Sequence, residues 1–222
     1  HQDELLAVIG PNGAGKTTLI NQLSGQLRPD AGRVVLAGRD ISDQSMAQRV
    51  HLGMARTFQI TSILPGFSVL ENVALAVQAR SGSSFRFFRA AAVQRRLNDA
   101  AMAHLAEVDL DADAQRRAAD LSHGKQRQLE LAIALATDPH ILLLDEPLAG
   151  TGGAEAARLV ALMQRLKARH SILLIEHDMR AVFALADRIA VMVYGQIIAT
   201  GTPDEIRANP RVRAAYLGQE SV

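Results

Sequence analysis

Leu5-Leu6-Ala7-Val8-Ile9-Gly10-Pro11-Asn12-Gly13-Ala14-Gly15-Lys16-Thr17 decides the reading of this chain. The apolar run predicts a strand, and Gly10 to Thr17 has the spacing G-x-x-x-x-G-K-[ST]. Glycines at those positions let the backbone bend so that successive N–H groups point inward at phosphate oxygens. A helix predicted over 16–27 adds its positive N-terminal end. Lys16 is placed to reach the outer phosphates of a nucleotide, and Thr17 to offer a hydroxyl to Mg²⁺. A Gly-rich turn can match such a pattern by chance, but the strand before it and the helix after it argue against that. The candidate nucleotide contacts are therefore Gly10, Pro11, Asn12, Gly13, Ala14, Gly15, Lys16, Thr17 and the adjoining Thr18.

Downstream, Ile141-Leu142-Leu143-Leu144 is apolar throughout, as expected of a strand buried on both faces. It ends in Asp145-Glu146. Ligands of open parallel sheets bind beyond the carboxyl ends of strands, which places this pair where the phosphates would lie. Asp145 is the candidate magnesium carboxylate. Glu146 is the candidate for facing the water that attacks the γ-phosphate. Strands are predicted over 33–37, 53–58, 171–175 and 188–193, and helices over 154–169 and 179–186. Strand and helix alternate, so the sheet is expected to be parallel at its centre.

Between the loop and the acidic pair the pattern changes. Ser68-Val69-Leu70-Glu71 is a capping box that opens a helix over 69–80. A second helix over 90–108 repeats apolar residues at Val93, Leu97, Ala100 or Ala101, and Leu105. No strand signal occurs over 62–138, which reads as a helical insertion in an α/β core. Phe85-Arg86-Phe87-Phe88-Arg89 with Arg95-Arg96 is a local basic-aromatic cluster. It reads as the amphipathic start of that helix in preference to a contact with membrane headgroups or a membrane subunit.

Bulk properties exclude several classes. The 222 residues are 48% hydrophobic and 21% charged, with a net charge of +1, so no global field marks nucleic acid as a partner. The absence of cysteine removes disulfides and thiolate metal sites. No apolar run approaches the ~20 residues of a membrane span.

Leu121-Ser122-His123-Gly124-Lys125-Gln126-Arg127 precedes the helix that leads to Asp145. With the phosphate loop and the acidic pair, it resembles the nucleotide-binding subunit of ATP-binding-cassette (ABC) transporters, and the similarity covers essentially the whole chain. The family signature Leu-Ser-Gly-Gly-Gln is altered at His123 and Lys125 but keeps Ser122 and Gly124. The resemblance implies an α/β P-loop NTPase core with a mainly parallel sheet over 1–61 and 121–222, the latter including a C-terminal tail. A helical subdomain is inserted over 62–120. His1 to Glu4 is polar and leads directly into the first strand, so the N-terminal antiparallel strands are expected to be incomplete. No aromatic residue precedes Gly10, where the family stacks adenine, so weaker nucleotide binding is expected than in a chain with those strands.

The resemblance also implies roles for single residues. Ser122 and Gly124 approach the γ-phosphate held by a second protomer. Gln59 contacts Mg²⁺ or the attacking water, and His177 hydrogen-bonds the γ-phosphate. Thr151-Gly152-Gly153 stands where the family often carries Leu-Asp, so that loop has no carboxylate at Gly152. Ala55 to Gln59, Leu144 to Gly150, Ile175 to Met179 and the tail from Gly201 to Gly218 look most like the ATPases of branched-chain amino acid importers. Urea, amide and aromatic-acid importers share the tail. Lipopolysaccharide-export ATPases and non-transport members of the class are the alternatives. The implied cofactors are ATP and Mg²⁺. The implied partners are a second ATPase subunit, transmembrane permease subunits and, indirectly, a solute-binding protein. The implied location is the cytoplasmic face of the inner membrane.

Overall fold

The first strand, β1 (Leu5–Ile9), lies between two parallel neighbours, β6 (Ser171–Ile175) and β7 (Arg188–Val193). The structure, a computed structural model, describes residues 4–57, 63–80 and 91–215, the side chains of 91–94 and 215 excepted. Among the described residues a six-stranded sheet runs β4-β5-β6-β1-β7-β8, where β4 is Met54–Arg56, β5 is Ile141–Asp145 and β8 is Gln196–Gly201. All pairings are parallel except β7 with β8. A separate antiparallel pair, β2 (Val35–Leu36) and β3 (Arg39–Asp40), stands where one strand over 33–37 was expected.

Period-two alternation sends successive residues of the central strands into two cores. Ala7, Leu142, Leu144, Ile172 and Leu174 join one; Val8, Leu143 and Ile175 join the other. On the second face lies α1 (Lys16–Ser24), through Ile20. The first face is covered by α5 (His123–Leu135), α6 (Gly153–Leu166) and α7 (Met179–Leu185), through residues such as Leu129, Leu162 and Val182. Burying each such side chain contributes about 1.5–3 kcal/mol, so the sheet is held from both sides.

The first helix ends three residues earlier than expected. Gly25 has φ 81°, and the N–H of Gln26 donates to Asn21 O at 2.9 Å, closing the helix in a left-handed cap. A side chain at Gly25 would also meet Arg49, whose guanidinium lies buried and donates to Gln22 O (2.7 Å) and Leu23 O (2.6 Å). Arg49 sits on α2 (Met46–His51), a helix not anticipated although Ser45 and Gln48 form its capping box.

The predicted helices α3 (Val69–Arg80) and α4 (Ala91–Glu107) are present and pack on each other and on α5. The Ser68–Glu71 box closes as expected. A single antiparallel bridge between Ser68 and Arg117 pins the start of α3. Residues 81–90, with the cluster Phe85 to Arg89, lie outside the described residues. The tail forms α8 (Pro203–Ala208) and α9 (Pro210–Ala215). No described helix is long and apolar enough to cross a membrane.

Candidate active site

Strand register builds the site. Val8 and Asp145 both pair with Ile175, so β1, β5 and β6 end at one level. The turns that follow carry Gly10, Glu146 and His177, and these three loops therefore open at one edge of the sheet. β4 runs alongside with Arg56 opposite Leu143.

The phosphate loop is tightly fitted. A Cβ at Gly10 would lie 2.0 Å from Met192 O, and Gly13 and Gly15 have φ of 78° and 102°. The N–H of Gly195, in the β7–β8 turn, donates to Ala14 O at 2.8 Å and supports the loop from behind. The Lys16 ammonium is buried and donates to Gly10 O (2.7 Å) and Pro11 O (3.1 Å). Burial pushes its pKa below the ordinary lysine value, against the pull of Glu146 and Asp145. Thr17 and Thr18 stand exposed on the first turn of α1.

Asp145 is buried and accepts from Arg56 Nη2 at 2.9 Å. Burial pushes its carboxyl above the ordinary value, and the Arg56 hydrogen bond opposes the rise. A lysine pushed down and a carboxylate pushed up in one crevice mark charges held away from water, as sites built for charged ligands do. Arg56 also donates to Asn21 Oδ1 (2.7 Å), Ser24 Oγ (3.0 Å) and Gln26 Oε1 (3.0 Å). One guanidinium thus ties α1, β4 and β5 together.

Glu146 adopts φ 50°, and its Oε1 lies 2.8 Å from His177 Nε2. The left-handed backbone turns the chain at the end of β5. Glu176 is buried behind this pair. Its Oε1 accepts from Leu148 N (2.8 Å), and its Oε2 accepts from His177 N (2.8 Å) and Asp178 N (3.3 Å). It therefore fixes the loop after Glu146 to the loop bearing His177. Gln59 lies outside the described residues.

Ser122 and Gly124 are not joined to this cluster. Ser122 is the N-cap of α5, and its Oγ donates to Glu155 Oε1 of α6 at 2.8 Å. Lys125 turns away, its Nζ 2.6 Å from Asp113 Oδ2, which also receives Arg116 through Oδ1 at 2.8 Å.

Arg56, Glu176 and Glu155 were not singled out from sequence. A charge inside a short strand beside a motif was a usable signal for Arg56. Glu176 and Glu155 act through partners distant in the chain, which no local pattern reveals.

The donor set fits a nucleotide with Mg²⁺. Among the described residues no group of three or more His, Asp or Glu gathers as a protein-only metal cage. One hydroxyl, one carboxylate and a phosphate cradle are the arrangement by which Mg²⁺ is shared with a nucleotide.

Comparison with known proteins gives the same direction. Residues 1–149 match the family model described as "ABC transporter", and residues 196–222 match "Branched-chain amino acid ATP-binding cassette transporter". The chain is 40% identical to the "High-affinity branched-chain amino acid transport ATP-binding protein LivG" of Salmonella typhimurium, covering 97% of this chain and 88% of that protein. It is 39% identical to BraF of Pseudomonas aeruginosa, a protein of the same description, over 98% and 88%. Among solved structures it is similar to the ADP conformation of MJ1267, an ATP-binding cassette of an ABC transporter. There the TM-score is 0.83 and identity 31%, over 98% of this chain and 89% of that one.

Proposed function

From the chain's membership of the ABC transporter ATPase family, we propose that it is the ATP-hydrolysing subunit of an importer of branched-chain amino acids or a related small polar solute. The observation that carries the reading is the common level at which β1, β5 and β6 end, with Lys16, Asp145, Glu146 and His177 at that edge. The names of the relatives and the match of the tail over 196–222 support the solute class.

In this reading the backbone N–H groups of the Gly10 to Thr18 loop, Pro11 excepted because it has none, and the Lys16 ammonium bind the phosphates. Thr17 and Asp145 would hold Mg²⁺, which when bound neutralises phosphate charge. Glu146 orients the attacking water and takes its proton. His177, in contact with Glu146 Oε1, holds that carboxylate in place until the γ-phosphate arrives. Gln59 is assigned the contact to Mg²⁺ or the attacking water. The partner's Ser122 and the partner's Gly124 complete the site from the other side, so two chains pair head to tail.

Residues 62–120 act as a helical subdomain on a core of 1–61 and 121–222. Between them Val50, His51, Gly53, Ala76 and Arg80 line an open groove of about 770 Å³, which suits a cytoplasmic segment of a permease. Attachment is then peripheral, at the cytoplasmic face of the inner membrane, with a solute-binding protein acting on the permease and no nucleic acid involved.

Glu146→Gln tests the chemistry. Removal of a general base costs about 10²–10⁴-fold in hydrolysis, while ATP binding measured by equilibrium titration stays. Full turnover in that variant removes Glu146 from the role. Reconstitution with the permease subunits, assayed with leucine against urea and an aromatic acid, tests the solute.

A further inference from the structure

Glu155 occupies an unusual position for a first-turn carboxylate. It is the third residue of α6, whose N-cap is Gly152, a residue with no side chain to cap the helix. The Gly152 N–H faces the Glu155 carboxylate and favours its charged form, in the place of one half of a capping box. The same carboxylate reaches across to α5, where it accepts from the Ser122 hydroxyl at 2.8 Å and lies against Gly124, whose N–H favours its charged form. These donors hold its carboxyl below the ordinary range, the Ser122 hydroxyl most of all. One anion therefore sits between two helix N-termini, where the partial positive charge of each favours it.

The contact is close. A Cβ placed at Gly124 would lie 2.6 Å from Glu155 Cδ and 2.8 Å from its Oε2. Glycine at 124 is what allows the carboxylate to seat there. The two groups it meets on α5 are those that the proposed function assigns to the γ-phosphate of a partner's nucleotide. Both cannot be satisfied by two anions at once, because like charges at hydrogen-bonding distance repel.

We propose that Glu155 is an internal stand-in for the γ-phosphate: its carboxylate fills the Ser122–Gly124 seat of the single chain and is exchanged for the terminal phosphate when two chains close on ATP. No bond is made or broken. The hydroxyl of Ser122 changes acceptor, and the N–H of Gly124 is uncovered for the phosphate as Glu155 withdraws toward Gly152. Gly152 thereby acquires a role in a loop that has no carboxylate of its own. The stand-in has two effects. It keeps the α5 turn ordered before closure, and it raises the ATP concentration at which pairing begins.

The proposal rests on the reading of this chain as a pairing ATPase, and the experiment separates the two. In the Glu146→Gln background, which holds ATP without hydrolysing it, dimer formation is followed by sedimentation as ATP is raised. Glu155→Gln removes the charge and keeps the size; Glu155→Ala removes the side chain. Both are expected to pair at about tenfold lower ATP than the Glu146→Gln parent, with ATP binding to the monomer unchanged. A residue that merely positioned Ser122 would give the opposite result, a higher ATP requirement in both variants, and that outcome or an unchanged midpoint overturns the proposal. Should Glu155→Ala melt before the assay temperature, Glu155→Gln decides alone. A parent that stays monomeric at saturating ATP overturns the pairing reading itself, and the stand-in with it.

Discussion

At the N-terminus of α1 Lys16 and Asp145 are buried and already bonded, to the loop carbonyls and to Arg56, and half-buried Glu146 is bonded to the exposed His177. At the N-terminus of α5 the serine is exposed and its partner is a surface carboxylate from the same chain. Both ends offer N–H groups and a hydroxyl to an anion. They differ in what supports them. The first is assembled from the ends of three strands whose register is set by two hydrophobic cores. The second is set by two helix termini and a single side-chain bridge. A site that recognises its ligand within one chain can afford rigid, desolvated charge. A site that must let another molecule in and out is better left wet and provisionally filled.

If the first half is held by buried charge, its disruption has the larger effect. Arg56→Ala leaves the buried Asp145 without its cation and is expected to destabilise the fold by about 3–5 kcal/mol, read as a fall in thermal midpoint. Adding Asp145→Asn should recover part of that loss, and equal midpoints for the single and double variants would mean the pair is not coupled. Lys16→Ala should slow ATP hydrolysis about 10²–10³-fold with a much smaller change in melting temperature. An unaltered rate would take Lys16 out of the phosphate site.

On the other half, Ser122→Ala removes the N-cap of α5 and should cost about 1 kcal/mol of stability while leaving monomer ATP binding intact. It should weaken ATP-driven pairing by about tenfold, the scale of one hydrogen bond to a charged group. A loss of monomer ATP binding would show that the two ends are not separate. The smallest effect is expected at Asp113, whose carboxyl the Lys125 hydrogen bond holds below the ordinary value. Because the folded value is the lower one, the stabilisation is present above the unfolded pKa and is lost as pH falls through the folded pKa. Asp113→Asn should therefore cost about 0.5–1 kcal/mol near neutral pH and nothing in strong acid. A difference that grows in acid would reverse the sign and exclude the ion pair as its cause.

The phosphate loop, the acidic pair and the central strands were legible in the sequence because each is local. Gly10 to Thr17 is a contiguous backbone shape, and Ile141 to Asp145 is one apolar run with its charged end. What escaped depends on register or on edges. Arg56 finds Asp145 only because Arg56 stands opposite Leu143 in the sheet. β8 is an edge strand, partly exposed, so Gln196 to Gly201 lacks the apolar signature of the buried strands. The early stop at Gly25 and the box at Ser45 and Gln48 are local features that the sequence does display. Glu155 could not be found from spacing, since its acceptor role needs the N-termini of α5 and α6 to meet.

Arg56 has one more property. It stands at the end of β4, three residues before Gln59, and its guanidinium grips both Asp145 and the flank of α1. A displacement of β4 would therefore reach Asp145 over the length of one side chain. Arg56 is a short lever whose fulcrum is the sheet: whatever shifts its backbone moves the carboxylate and the flank of α1 together.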